Sequence, residues 1–360
     1  MKGYVLTRPF SNMGGGQSEW TFAHKNGTEF FLKRFLTPTY PVDGGPGSAK
    51  SKEGKRIRCA RFEDHHQTVQ RLLLPLSKSG GNLVVTRDFF RVDAHYFKAT
   101  DKVDDARLSL QQIARLPLED KASLMITVCA SLVILHRERI VHGDLKPDNV
   151  LVSNGASRST YAAKLIDFDN CFQSGAPPGP EDLVGDPTYY SPEMMFYLSD
   201  GSAASRAAIT QASDVFALAL MFSQFLTGGL PTAGRPGYLA DSLLQGSGLA
   251  LPEIPAGAGA IGRLIRDMTA VRPADRPDVG EVATVLRAAR RELRGLPSSS
   301  AFSTPGRLRG RGLEPPRLKG SLVPGDVGAG GGGGTPAPRT GLVTPRPYHE
   351  DAEGGSGKKA

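Results

Sequence analysis

The sequence predicts an α+β chain of two lobes, a small strand-rich one followed by a larger helical one, with a disordered C-terminal tail. Three observations predict it. Residues 1–40 alternate as strands do, two further strands read at 83–90 and 95–101, and the pattern turns helical from Leu118. The composition breaks after about Leu296 into Gly, Pro, Ser and Arg. After the first long helix of the second region lies a loop dense in carboxylate, amide and lysine side chains, where the edge of a cleft would fall. The predicted boundaries are 1–103 for the first lobe, 104–296 for the second and 297–360 for the tail.

In the first lobe, Thr21–His24 and Glu29–Phe35 read as strands joined by the turn Lys25-Asn26-Gly27. Residues 41–56 read as a loose basic loop. Residues 59–77 have helical spacing, with Phe62, Val69, Leu73 and Leu76 on one face. Leu83–Phe90 and His95–Asp101 read as two further strands. In the second lobe, helices are predicted at Leu118–Arg139 and around 211–227, 239–245, 258–270 and 278–294. The tail carries five glycines at 330–334 and too little apolar surface to offset its chain entropy. Thr304, Thr335 and Thr344 each precede proline there, which makes the tail either an inert extension or a phosphoacceptor tether.

A chain of 360 residues, 39% of them hydrophobic, can bury the core of one large domain or of two lobes sharing a cleft. The formal net charge of +8 suits acidic partners without choosing among nucleotide, nucleic acid and anionic lipid. No arginine-rich cluster interleaved with aromatics is present, which argues against a dedicated nucleic-acid surface. Cys59, Cys129 and Cys171 are odd in number and lack metal-ligand spacing, as expected of reduced thiols in a cytoplasmic protein. Residues 1–10 do not read as a signal peptide. The apolar run Val215–Leu226 is too short to span a bilayer and reads as a buried helix.

The strongest chemical signal is His142-Gly143-Asp144-Leu145-Lys146-Pro147-Asp148-Asn149. Phosphoryl transfer asks a protein mainly to position a nucleophile and neutralise dispersed negative charge. Asp144 can accept the hydroxyl proton, Lys146 can reach the moving phosphoryl group, and Asn149 can offer a metal an oxygen. Lys164-Leu165-Ile166-Asp167-Phe168-Asp169 then places a carboxylate, Asp167, at a strand tip suited to a magnesium ion that bridges phosphates.

These motifs, in this order over residues 4–294, resemble the eukaryotic-like (Hanks-type) serine/threonine protein kinases, and a composition rich in Ala, Gly, Arg and Pro suggests a bacterial member. The resemblance implies a bilobal protein-kinase fold, an ATP and Mg2+ cofactor pair, and protein substrates, with autophosphorylation of the tail or activation segment. It assigns Asp144 as catalytic base and Asn149 and Asp167 as metal ligands. Lys33, in Phe30-Phe31-Leu32-Lys33, matches the strand lysine on the α- and β-phosphates. Its ion-pair partner is expected from the following helix at Glu63, with Asp64 as the alternative. The phosphate-covering loop corresponds to Asn12–Trp20, with Gly14, Gly15 and Gly16 but without the family's third glycine. Trp20 or Thr21 would cover the adenine, and aligning Ala23 with the small adenine-pocket residue favours Trp20. Thr100-Asp101-Lys102-Val103 matches the hinge, Thr100 at the back of the pocket and Asp101 and Val103 offering backbone groups to adenine. Glu193 and Arg276 match a structural ion pair, and Asp214 matches a buried carboxylate that braces the catalytic loop, although it could also be a helix cap.

Three positions depart from the family. Gly143 stands for the usual arginine, which implies little dependence on activation-segment phosphorylation. Asp169 stands for glycine and adds a second carboxylate, which would either shift metal preference or limit the mobility of the segment. Asp186 replaces Thr or Ser and puts the serine/threonine preference in question. Two other classes stay open: a small-molecule phosphotransferase of the aminoglycoside-kinase type, and a pseudokinase scaffold.

Overall fold

In a computed structural model, residues 1–12, 18–42, 44–78, 82–103, 108–154 and 161–295 are described. They belong to a compact unit spanning Met1–Phe302.

The first lobe is an antiparallel sheet in the order β1-β2-β3-β5-β4, built from β1 (Val5–Leu6), β2 (Ser18–Lys25), β3 (Thr28–Phe35), β4 (Thr86–Val92) and β5 (His95–Asp101). The β2–β3 hairpin closes on Asn26 and Gly27, whose φ angles of +53° and +78° suit the tight turn their residue types signal. Between β3 and β4 runs helix α1 (Ala49–Leu73). It takes up the last eight residues of the segment read as a loop, capped by the Ser48 hydroxyl on the Ser51 N–H at 3.2 Å. Its first three turns bury only Cys59, so no apolar stripe announces them. β4 also starts later than expected: Leu83 leaves the sheet and bridges to Leu165 of the second lobe.

The second lobe holds α2 (Leu110–Ala114), α3 (Leu118–Arg137), short β6 (Ile140–Val141), the hairpin β7 (Val150–Asn154) and β8 (Tyr161–Leu165), and β9 (Phe172–Gln173), which pairs with β6. The helices α4 (Pro192–Asp200), α5 (Ala203–Ala208), α6 (Gln211–Thr227), α7 (Leu239–Leu244), α8 (Gly259–Met268) and α9 (Val279–Leu293) follow. The core gathers α3, α6, α8 and α9, with Leu132, Leu135, Leu218, Phe222, Ile265 and Leu286 fully enclosed. α6 is buried on nearly every side, as its unbroken apolar run demands. α9 starts on a capping box, Asp278 accepting from Gly280 and Glu281 N–H at 2.7 and 2.8 Å while Glu281 accepts from Asp278 N–H. The helices α2, α4 and α5 were not expected from the sequence. No described helix is long and apolar enough to cross a membrane. The three cysteines are buried and free.

Candidate active site

The alternation of β2, β3 and β5 divides the sheet into two chemically distinct faces. Cross-strand partners share a face, so Trp20, Phe22, Phe31, Lys33, Lys98 and Thr100 line one side through the pairs Trp20–Lys33, Phe22–Phe31, Phe31–Thr100 and Lys33–Lys98. Ala23, Phe30, Leu32 and Ala99 line the other and pack with Tyr4, Phe90 and Phe97. Trp20 is therefore on the Lys33 side, stacked on Phe31 with centroids 5.6 Å apart. Ala23 is not: it is fully buried beneath the opposite face, so its alignment with an adenine-pocket residue fails by strand parity. Thr21 shares that far face and donates its hydroxyl to the Arg8 carbonyl at 2.7 Å. The loop that precedes β2 is closed at its neck by reciprocal Ser11–Trp20 backbone bonds of 2.9 Å. Gly14, Gly15 and Gly16 lie outside the described residues. Asp101 ends β5 with its carboxylate held by Arg87, and half-buried Val103 follows.

The two lobes meet at Lys33. Its Nζ lies 3.0 and 3.1 Å from the carboxylate oxygens of Asp167 and 2.7 Å from Asp169 Oδ2. Burial pulls the Lys33 ammonium toward neutrality, but Asp169 and Asp167 outweigh it and raise its pKa above the ordinary lysine value. Asp169 is opposed by its own burial and still held well below the usual carboxylate range by Lys33 and Lys98. Lys98, with its side chain 4% exposed, reaches Asp167 Oδ1 at 3.0 Å and bonds Asp169 Oδ1 as well. Asp167 itself adopts a left-handed backbone, φ 59° and ψ 61°, which opens the turn that carries Phe168 and Asp169.

Glu63 is not the partner of Lys33. Its Oε1 accepts from the Tyr96 hydroxyl at 2.7 Å and lies 4.0 Å from Arg91 Nε. Asp64 is exposed on α1. The helix turns His65 and His66 toward the site instead. His65 Nε2 donates to the Asp169 carbonyl, and His66 stacks on Phe89 with its Nδ1 3.7 Å from Asp169 Oδ1. Burial lowers the His66 pKa to about 3, with Lys98, His65 and Lys33 adding to the effect against Asp169. Lys98, His65 and His66 gather around Asp167 and Asp169, and the motif reading missed all three. One signal for Lys98 was available: a lysine midway along an otherwise apolar strand segment, Tyr96-Phe97-Lys98-Ala99.

The catalytic-loop residues converge as their spacing requires. Asp144 is 8% exposed, and its carboxylate accepts from Lys146 Nζ at 3.0 and 3.1 Å and from Asn149 Nδ2 at 3.1 Å. Asn149 Nδ2 also bonds the Asp144 carbonyl at 2.7 Å, and its backbone carbonyl accepts from Ile166 N–H at 3.0 Å, next to Asp167. Asp214 braces this loop: it accepts from the backbone N–H of His142 at 2.8 Å and Gly143 at 3.1 Å, with His136 Nε2 at 3.0 Å. The cap of α6 is Thr210, so Asp214 is a brace and not a cap. Glu193 and Arg276 form the expected bidentate pair at 2.7 and 2.8 Å.

Two of the three departures have a structural cause. Gly143 has φ +77°, and a Cβ there would stand 2.5 Å from the Asn170 carbonyl oxygen, so no larger residue fits without movement. At Asp186 the backbone N–H, not a side-chain hydroxyl, donates to Asp144 Oδ1 at 3.1 Å, while its own carboxylate caps Thr188 N–H at 2.9 Å.

Lys33 of the sheet thus meets Asp167 of the second lobe, and Asp144, Lys146 and Asn149 touch one another in a loop whose Asn149 carbonyl is bonded to the residue before Asp167. The family model for the protein kinase domain matches residues 55–284, and the chain belongs to that family. It is 28% identical over 120 residues to the probable serine/threonine-protein kinase gdt4 of Dictyostelium discoideum, a match covering 33% of this chain and 7% of that one. It is 30% identical over 126 residues to the human serine/threonine-protein kinase DCLK3, covering 34% and 19%, and 26% identical over 167 residues to mouse serine/threonine-protein kinase PAK 4, covering 46% and 24%. The matched segments thus span less than a quarter of these relatives' lengths. Among solved structures, the Cydia pomonella granulovirus kinase PK-1 shares the fold, with a TM-score of 0.53 at 17% identity over 78% of this chain and 93% of that one.

Proposed function

We propose that this protein transfers the γ-phosphate of ATP to serine or threonine hydroxyls of protein substrates, with magnesium as the metal. The observation that carries the reading is the contact of Lys33 with Asp167, 134 positions apart, beside a loop in which Asp144, Lys146 and Asn149 touch one another. Asp144 is the general base: its carboxylate is buried enough to be fixed, and bonds from Lys146, Asn149 and the Asp186 backbone aim it. Lys146 and Lys33 bind phosphate oxygens, and Trp20, Asp101 and Val103 border the base.

The donor set fits magnesium. The Asn149 amide is oriented by two N–H bonds toward Asp144, which turns its oxygen away as a ligand, and Asp167 is 33% exposed. Among the described residues no three His, Cys, Asp or Glu side chains gather as a metal cage, which suits an ion that takes most of its oxygens from phosphate and water. Magnesium, when bound, neutralises charge on the phosphates.

The division at 103 and 296, a cytoplasmic location and phosphorylation of Thr304, Thr335 and Thr344 belong to the same proposal. So does independence from activation-segment phosphorylation, since Gly143 brings no cation. The test incubates the full chain with labelled ATP and magnesium, alone and with a generic basic protein, and maps the phosphosites. Label on Ser or Thr, lost in Asp144→Asn and kept after prior dephosphorylation, is expected. Transfer to a sugar antibiotic but to no protein would overturn the protein-kinase reading, and no transfer at all would favour the scaffold.

A further inference from the structure

Lys33, Lys98, Asp167 and Asp169 form a closed box of two ammonium and two carboxylate groups. Lys33 and Lys98 are direct cross-strand partners on β3 and β5, so their side chains leave the sheet side by side. Each contacts both carboxylates of the turn that follows β8. Exposure falls from Asp167 at 33% through Lys33 at 17% and Asp169 at 13% to Lys98 at 4%. Burying an unpaired ammonium or carboxylate is strongly unfavourable, so Lys98 and Asp169, the two most enclosed, each balance the other. Helix α1 offers Lys33 no carboxylate, because Glu63 is held by Tyr96.

We infer that Asp169 is the positioning residue that holds Lys33 in place, the part expected of Glu63, and that Lys98 acts through Asp169 by neutralising and fixing its carboxylate. Asp167 is then free to serve a metal without leaving Lys33 unanchored. His65 secures the arrangement from α1 through the Asp169 carbonyl, which couples the helix to the turn by a hydrogen bond to the backbone. The inference rests on the kinase reading for what Lys33 does, but the box itself is a set of contacts within the chain.

The experiment compares Lys98→Met, Asp169→Asn, the double variant and Glu63→Gln in the full chain. Melting without nucleotide comes first. Each single box variant leaves a buried charge unbalanced and is expected to lower Tm by about 5 °C or more, while the double variant melts closer to wild type than either single. Additive losses would overturn the inference. Affinity for ATP with magnesium and kcat/KM for ATP come second. Asp169→Asn is expected to lower kcat/KM about tenfold or more, Lys98→Met to add less than about twofold on that background, and Glu63→Gln alone to change it less than about twofold. A loss at Glu63→Gln exceeding that at Asp169→Asn would also overturn it. A wild-type chain that neither binds ATP nor turns over would sink the kinase reading, and the melting cycle would still decide whether Lys98 acts on Asp169.

Discussion

The Glu193–Arg276 pair in the helical lobe and the Lys33–Lys98–Asp167–Asp169 box at the cleft both hold buried charge, and they are built on opposite plans. Arg276 has a side chain with 0% exposure, and its five N–H groups are used: two on Glu193, the others on the carbonyls of Ala212, Ala270 and Val271. Ser213 adds a bond to the same carboxylate at 2.7 Å. A planar guanidinium with every donor engaged has one geometry and nothing left to exchange. The box uses ammonium groups, which rotate freely about their stems, and leaves one lysine and one aspartate partly open. The first arrangement suits a strut. The second suits a site whose contacts rearrange when a charged ligand arrives.

Four perturbations would sharpen or break that contrast. The largest effect belongs to the carboxylate proposed as general base: Asp144→Asn is expected to reduce turnover by about 10²–10⁴-fold while leaving the denaturation midpoint near wild type, measured by initial rates and urea titration. Breaking the strut does the reverse. Glu193→Ala strands a fully enclosed guanidinium and should cost about 3–5 kcal/mol in denaturant stability. If it instead left stability intact and altered only ATP dependence, the distinction between strut and site would fail.

A smaller loss is expected at Gly143, where alanine must adopt φ +77° and press its Cβ toward the Asn170 carbonyl. Gly143→Ala should cost about 1–3 kcal/mol, with a parallel fall in turnover because Asp214 fixes this same backbone N–H. Restoring the family's arginine at this position should destabilise for the same reason, which calorimetry on both variants would check.

The smallest effect is a pH dependence. The His66 folded pKa of about 3 lies below the unfolded value of 6.5, so the unfolded chain takes up a proton first as pH falls. This contribution to stability is whole above pH 6.5 and is lost progressively toward pH 3, by up to about 1.4 kcal/mol per pH unit. Asp169, also depressed, adds loss in the same direction below its ordinary carboxylate value. His66→Phe keeps the stack on Phe89 and should flatten the slope between pH 6.5 and 4.5 in denaturation experiments.

Legibility in the sequence tracked how local each interaction is. β5 and α6 were readable nearly to the residue, because strand alternation and an unbroken apolar run are written in consecutive positions. The start of α1 was hidden, since its exposed basic turns have no core face to reveal periodicity. Asp144, Lys146 and Asn149 were legible for the same reason as β5: they touch within five positions of one another. Trp20 was placed on the correct face through a faulty alignment with Ala23, and only the cross-strand register exposed the error.

The sequence by itself determined the order of the lobes, the contacts among Asp144, Lys146 and Asn149 and the long-range pair of Glu193 with Arg276, because a fixed motif carries its own short-range geometry and a family pattern carries the rest. The tertiary structure alone decided which carboxylate anchors Lys33. That choice depends on the rotation of α1, which hands Glu63 to Tyr96, and on the β3–β5 register, which sets Lys98 beside Lys33. Neither quantity is expressed in the spacing of residues along the chain. Charge neutrality in a desolvated site then binds the four side chains into one unit.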